Sequence, residues 1–386
     1  MFCQAAFGRF FYACAPALRR QNSLHRADLR EIHVFLALRS PCTAHRQLIF
    51  SEQSLSLRLI ACASTPAIKT ESHSQERCRP YQNHKITMRH HPTLQGIRVL
   101  SLALNLPGPA ALLRCHQMGA ICTKLEPPPP EHSSSADPMA QYSPAAYREL
   151  HQGVRVLHAN LKTEEGQLLL QQELLVTDVL ITSFRPGALV KLGVDWEHLH
   201  SRYPQLCMVR IQGDLNAEAA GQPGHDLTYQ AEAGLVSPGH MPTSLHADMA
   251  GALSAAEALL QALLERERSG TGVVRDVGLA QAAHWLAQPL HWGLTTPNGD
   301  VGGAHAGYRV YATADGHVAV AALEPHFARQ LCALAGVECD GSVQAMRAPA
   351  VHAQIARFLQ TTAGTDLERL SVEKDIPLHV LADRNK

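Results

Sequence analysis

Residues 94–130, LQGIRVLSLALNLPGPAALLRCHQMGAICTKLEPPPP, decide the fold. Residues 97–104 are an aliphatic run of strand length. Asn105, Leu106, Pro107, Gly108 and Pro109 form a turn, and its closing proline suits the first turn of a helix, where a missing N–H costs nothing. Residues 110–118 read as that helix, and Gly119 as its stop. Residues 121–125 are a second strand, ended by Glu126 and four prolines. Strand, helix and strand in about thirty residues make a βαβ unit, which sets the two strands parallel. The turn after the first strand lacks GxGxxG spacing, so no dinucleotide site is expected there despite the Rossmann-like pattern.

The alternation continues downstream. Residues 154–159 read as a strand, 164–175 as a helix, 178–183 (DVLITS) as a buried strand, 195–202 as a short helix and 206–212 as a strand. Residues 273–277 and 279–292 add a strand and a helix. The Pro/Ser-rich residues 127–146 read as a surface loop. Repeated βα units with short apolar strands predict an α/β, doubly wound parallel sheet over a large domain, residues 93–296. Ligands of such sheets bind beyond the carboxyl ends of the strands. The Asn105–Pro109 turn, Arg185 and the loop 213–226 all fall there. Arg185 reads as a phosphate partner or as a solvated turn arginine. After Pro297 a hairpin, 308–312 and 318–322 joined by Ala314-Asp315-Gly316, opens a smaller α+β domain over 297–386.

Composition narrows the function. The 386 residues are 46% hydrophobic, and 34 Lys+Arg balance 34 Asp+Glu. Zero net charge gives no footing for nucleic acid or a membrane surface, and no apolar run is expected to cross a bilayer. The ten cysteines form no Cys-x-x-Cys pair, so no metal is expected, and those of the body read as buried apolar residues of a reducing compartment. Residues 1–92 stand apart: arginines are frequent, acids few, and strand–helix alternation is missing. A disordered extension or a start placed too far upstream, with Met88 as the true one, is the reading adopted; a mitochondrial presequence is the alternative. The location expected is accordingly cytoplasmic, or mitochondrial if residues 1–92 are a presequence.

Residues 221–234, GQPGHDLTYQAEAG, carry the chemistry. A Gly/Pro turn presents His225 and Asp226 at the mouth of a helix, where backbone N–H groups lack partners and anions are favoured. Proton or acyl transfer calls for such neighbours; a capping Asp226 and a turn His225 are the bland alternative. Asp248 falls in the first turn of a long helix to about Arg268, whose Met249, Leu253, Ala256, Leu260 and Leu263 lie at core-like spacing. Glu324 opens a later helix, as a cap or facing a cleft.

Several stretches together resemble the class III CoA-transferases and α-methylacyl-CoA racemases (CaiB/BaiF-like): LQGIRVLSLA with PGP at 94–109, MGAICTKLEPP at 118–128, and NLK at 160–162. DVLITSFRPGALVKLGVDWEHL at 178–199, GHDLTYQAEAGL at 224–235, ADMAGALSAAEALLQALLERERSGTG at 247–272 and YRVYATADGHVAVAALEPHF at 308–327 complete the set, in the family's order. The resemblance implies an acyl-CoA thioester substrate, no metal or redox cofactor, and an interlocked homodimer whose active site lies between the large domain of one subunit and the small domain of its partner. It implies that the position of Asp226 is the nucleophile in transferases. In racemases His225 and Asp248 would exchange the α-proton, with support from Glu324. His225 and the LEPHF context favour the racemase, whereas QAEAG looks like the transferase version. Arg185, Lys162 and the turn residues Asn105, Pro107, Gly108 and Pro109 would grip the CoA. His151-Gln152-Gly153-Val154 and Gly213-Asp214-Leu215-Asn216 depart from the usual family stretches, and members usually run on past the equivalent of Lys386 to return to the large domain. The leading expectation is epimerisation at C2 of a 2-methylacyl-CoA; CoA transfer through Asp226 and a non-catalytic acyl-CoA binder are the alternatives.

Overall fold

The computed structural model describes residues 92–381, apart from 217 and 219–221. The expectation for the segment before residue 92 lies outside the described residues. Six strands form one parallel sheet: β1 (Arg98–Ser101), β2 (Ile121–Glu126), β3 (Arg155–His158), β4 (Val179–Thr182), β5 (Cys207–Gln212) and β6 (Val274–Gly278). Their order, β3-β2-β1-β4-β5-β6, is that of a Rossmann sheet and reverses between β1 and β4. The register sets Val99 beside Cys122 on one side and Val179 on the other.

Alternation along the strands builds the two faces. Val99, Val179, Ile181 and Val209 face one core with α1 (Pro107–Gln117). Leu100, Leu180 and Met208 face the other. Between β2 and β3 lie α2 (Pro138–Tyr142) and α3 (Pro144–Leu150). The second core receives Leu170 and Leu174 from α4 (Glu164–Leu174), Leu189 from α5 (Pro186–Leu192) and Leu199 from α6 (Trp196–Arg202). After β5 come α7 (Asp226–Glu232) and α8 (His246–Ser269), and after β6 come α9 (Leu279–Leu286) and α10 (Gln288–His291).

Four expectations need correction. Residues 127–146 are not merely a surface loop: they contain α2 and the start of α3, and Ser135 and Asp137 are wholly buried. Serines and prolines cap and start short helices as readily as they make loops. The predicted helix 279–292 breaks into α9 and α10, where Pro289 cannot donate the ladder hydrogen bond. On α8, Met249 and Leu253 are exposed, and the buried face is Ala252, Ala255, Ala258, Leu259 and Ala262. Small side chains let α8 lie close to α1 and β5, which a Met/Leu stripe would hold off. By length and composition α8 could also cross a bilayer, contrary to the sequence reading; half of that stretch is buried within the protein, as in a core helix.

A second, antiparallel sheet has the order β7-β8-β9, from β7 (Tyr308–Ala312), β8 (His317–Ala321) and β9 (Leu378–Leu381). Its core takes Leu331 from α11 (Pro325–Leu334), Met346 from α12 (Val343–Met346), Ile355 from α13 (Pro349–Gln360) and Leu367 from α14 (Gly364–Lys374). The predicted hairpin is β7 and β8, paired Tyr308 to Ala321.

Candidate active site

The carboxyl ends of β1, β4 and β5 open onto a cleft of about 180 Å3, lined by Pro107, Phe184, Arg185, Gly213, Gly224 and Tyr229 among others. The loop after β5 is pinned there: Asp214 accepts hydrogen bonds from Asn216 N (2.8 Å) and Gln281 Nε2 (2.7 Å). Those donors hold the Asp214 carboxyl below its ordinary range. Gly213 and Gly224 both press on the Tyr229 phenol, so closely that a Cβ at either would lie within 2.4 Å of its oxygen. Burial and then the charge of Asp248 push the Tyr229 hydroxyl up.

His225 caps α7 and is exposed. Its backbone N–H donates to Thr228 Oγ1 at 3.0 Å in a capping box. Asp226, the first residue of α7, is 5% exposed and does not act as the cap. Its Oδ1 accepts from the Asp248 backbone N–H at 3.0 Å, and its Oδ2 accepts from Gln230 Nε2. Asp248, in the first turn of α8, is 7% exposed. Burial, and then the charge of Asp226, push its carboxyl from 3.8 up to about 7. Two carboxyls in one dry pocket do not both ionise easily, so Asp248 exchanges its proton near neutrality. A carboxyl so tuned both gives and takes protons at working pH.

Among the described hydrogen bonds and ion pairs, none joins the other predicted residues to this pair. Arg185, at the start of α5, is exposed and lines the cleft. Pro107 lines it too, while Gly108 and Pro109 are buried beneath it at the start of α1. Gly108 is required for close packing, since a Cβ there would lie 2.2 Å from Ala103 Cβ. Asn105 takes a left-handed φ of 67°, a conformation asparagine tolerates. Lys162 is exposed beyond β3, at the far edge of the sheet, two strands from β1. Glu324 is exposed at the N-terminus of α11, and among the described hydrogen bonds and ion pairs none links it to Asp226 or Asp248.

Sequence reasoning missed two groups. Tyr229 and Gln230 lie three and four residues after Asp226, the helical spacing that brings side chains to one face, and that spacing was the available signal. The second group is a buried polar cluster at the end of β2. Lys124, fully buried, contacts Asp137, Glu126 Oε1 (3.2 Å) and His151 Nε2 (3.0 Å). Asp137 in turn accepts the Asn105 backbone N–H (3.0 Å) and so secures the turn after β1. Burial works to raise Glu126, but hydrogen bonds from Ser135 and Tyr147 and the Lys124 charge outweigh it and hold the carboxyl low. Burial, then Lys124, lowers His151. Glu126, Asp137 and His151 lie close enough to ligate a metal ion, but the ammonium of Lys124 already supplies the cation they share. The departure at His151 thus has a structural partner in Lys124.

Comparison with known proteins gives the family. The sequence pattern of CoA-transferase family III matches residues 94–386. Human alpha-methylacyl-CoA racemase is 30% identical over 264 residues, covering 64% of this chain and 66% of that one. A succinate–glutarate CoA-transferase of Agrobacterium fabrum is 32% identical over 269 residues, covering 64% and 67%. The chain thus spans about two thirds of the length of these relatives. The orthorhombic crystal structure of Rv3272 from Mycobacterium tuberculosis superposes with a TM-score of 0.64 at 26% identity, covering 76% of this chain and 83% of that one. A CAIB/BAIF family protein from Brucella suis shares the fold with a TM-score of 0.61 at 24% identity, covering 75% and 84%. With the family pattern running from ahead of β1 through both sheets, the chain belongs to CoA-transferase family III.

Proposed function

We propose that this chain is an enzyme that epimerises C2 of a 2-methylacyl-CoA thioester by two-base proton transfer. The observation that carries the reading is Asp248: a buried carboxyl raised to about 7 beside a fixed Asp226. One base removes the C2 proton, the electron pair moves into the thioester as an enolate, and the other base returns a proton to the opposite face. His225 and Asp248 take the two base positions. The first-turn N–H groups of α7 are the donors for the enolate oxygen. The chemistry draws on side chains alone, and coenzyme A enters as part of the substrate. Arg185 and the turn after β1 face the thioester's phosphates or adenine.

The reading includes a homodimer. Met249 (45% exposed), Trp285 (72%) and Trp292 (66%) are large apolar side chains left exposed on α8, α9 and just beyond α10, and a partner subunit would cover them. Glu324 then supports the site from the partner subunit.

A single 2-methylacyl-CoA epimer incubated in D2O tests this. Finding no deuterium at C2 and no second epimer would eliminate the reading. CoA transfer to a free acid through Asp226 is the second reading, favoured by the two donors that fix the Asp226 carboxylate. The carboxylate attacks the thioester carbonyl and expels CoA thiolate, giving an anhydride. The thiolate then attacks the aspartyl carbonyl and releases the first acid, leaving an aspartyl-CoA thioester. The acceptor carboxylate attacks that thioester and expels the thiolate, giving a second anhydride. The thiolate attacks the acceptor's carbonyl, which forms the new thioester and frees the Asp226 carboxylate. Hydroxylamine trapping of an aspartyl adduct, lost in Asp226→Ala, would select it. Binding of CoA esters with neither exchange nor transfer would leave a non-catalytic binder.

A further inference from the structure

Gln230 is wholly buried beside the proposed site, and each polar end of its amide is engaged. Its Nε2 donates to Asp226 Oδ2 and to Ser244 O (3.0 Å), and its Oε1 lies 2.8 Å from His246 Nδ1. Two acceptors on the nitrogen side decide which way the amide points. Flipped, its oxygen would face a carboxylate and a carbonyl with no proton between them. With Oε1 held toward His246, the proton of that contact must come from Nδ1, because a carbonyl oxygen cannot donate.

We propose that Gln230 is a positioning residue for the Asp226–Asp248 pair, and that His246 sets its orientation through the Nδ1–H. This rests on the reading of that pair as the reacting centre. The chain of contacts ties the helix bearing Asp226 to the first residue of the helix bearing Asp248. Gln230 fixes one oxygen of Asp226 and the Asp248 N–H fixes the other, so the carboxylate cannot turn in its pocket. His246 is half-buried and reaches Asp226 only through Gln230, so a role for it in turnover is a role through the amide.

The test compares Gln230→Met, which keeps volume and loses both ends of the amide, with three changes at His246. His246→Leu removes the donor. His246→Asn returns an N–H near the place of Nδ1, and His246→Gln returns one near Nε2 instead. In the full chain, Gln230→Met and His246→Leu should lower kcat for deuterium exchange or CoA transfer about 100-fold, the scale of a misplaced reacting group. KM should stay within about threefold, as for an interaction made in the transition state. His246→Asn should regain at least about tenfold over His246→Leu, and His246→Gln should not. Carbon-13 NMR of Asp-carboxyl-labelled protein gives a readout free of turnover. The carboxyl signal that titrates near neutrality, and is missing in Asp248→Asn, should move in Gln230→Met and His246→Leu and return toward wild type in His246→Asn. Wild type without exchange or transfer would defeat the functional reading, and the NMR titration would still judge the positioning. Unchanged kcat and titration in Gln230→Met, or His246→Gln matching His246→Asn, would overturn the proposal. If Gln230→Met does not fold, the asparagine–glutamine pair decides.

Discussion

Asp248→Asn should make this protein more stable at alkaline pH while disabling it. The substitution keeps the size of the side chain and the backbone N–H that Asp226 accepts, and removes only the ionisable oxygen. The sign follows from the raised carboxyl. Unfolded, Asp248 loses its proton near 3.8; folded, it holds it to about 7. Between those values the folded chain binds more protons than the unfolded one, so stability falls as pH rises, by about 1.4 kcal/mol per unit. Over the window the wild type loses about 4 kcal/mol, and above about 7 the loss is complete and constant. A neutral asparagine never charges, so it escapes this loss. Urea unfolding of both proteins at pH 5 and pH 8 measures it. The stability of the variant relative to wild type should improve by about 3 kcal/mol from pH 5 to pH 8. Activity should fall by about 100- to 10,000-fold, the worth of a general acid–base group. A stability difference that does not change with pH would show that Asp248 is an ordinary, ionised carboxylate and would refute the reasoning.

Four further outcomes follow from the geometry. His225→Asn should lower exchange about 100-fold or more yet leave the melting temperature near wild type, since the backbone N–H to Thr228 bond stays and asparagine is itself a good N-cap; differential scanning fluorimetry beside the D2O assay checks both. Gly108→Ala should cost about 1–3 kcal/mol, because its Cβ would lie 2.2 Å from Ala103 Cβ, and should weaken binding of free CoA in calorimetry. Lys124→Met should cost about 3–5 kcal/mol by urea unfolding, leaving Glu126 and Asp137 buried without their cation. Arg185→Ala should raise KM for the acyl-CoA with kcat unchanged, as expected for a group that binds ground and transition states alike.

The sequence by itself determined the sheet. Aliphatic runs at 97–104, 178–183 and 206–212, spaced by helices and turns, leave a parallel doubly wound sheet as the arrangement that buries them on both faces, and β1, β4 and β5 lie within those bounds. It also placed His225 and Asp226 beyond a strand end, because strand ends and turns are local features that a few neighbouring residues specify. Its error on α8 shows the limit: hydrophobic spacing marked the Met249 and Leu253 stripe, whereas closeness to α1 and β5 selected the alanine face.

Only the tertiary structure decided what Asp226 and Asp248 are to each other. They are 22 residues apart in sequence, and one hydrogen bond joins them. A raised carboxyl is a property of burial and of a neighbouring charge, and neither is written in a residue type. The same holds for Lys124, Glu126, Asp137 and His151, which read separately as strand end, loop and turn, and which close into one buried network only when β2 and α3 meet. Local chemistry placed groups able to react; the packing of α7 against α8 buried the two carboxyls side by side.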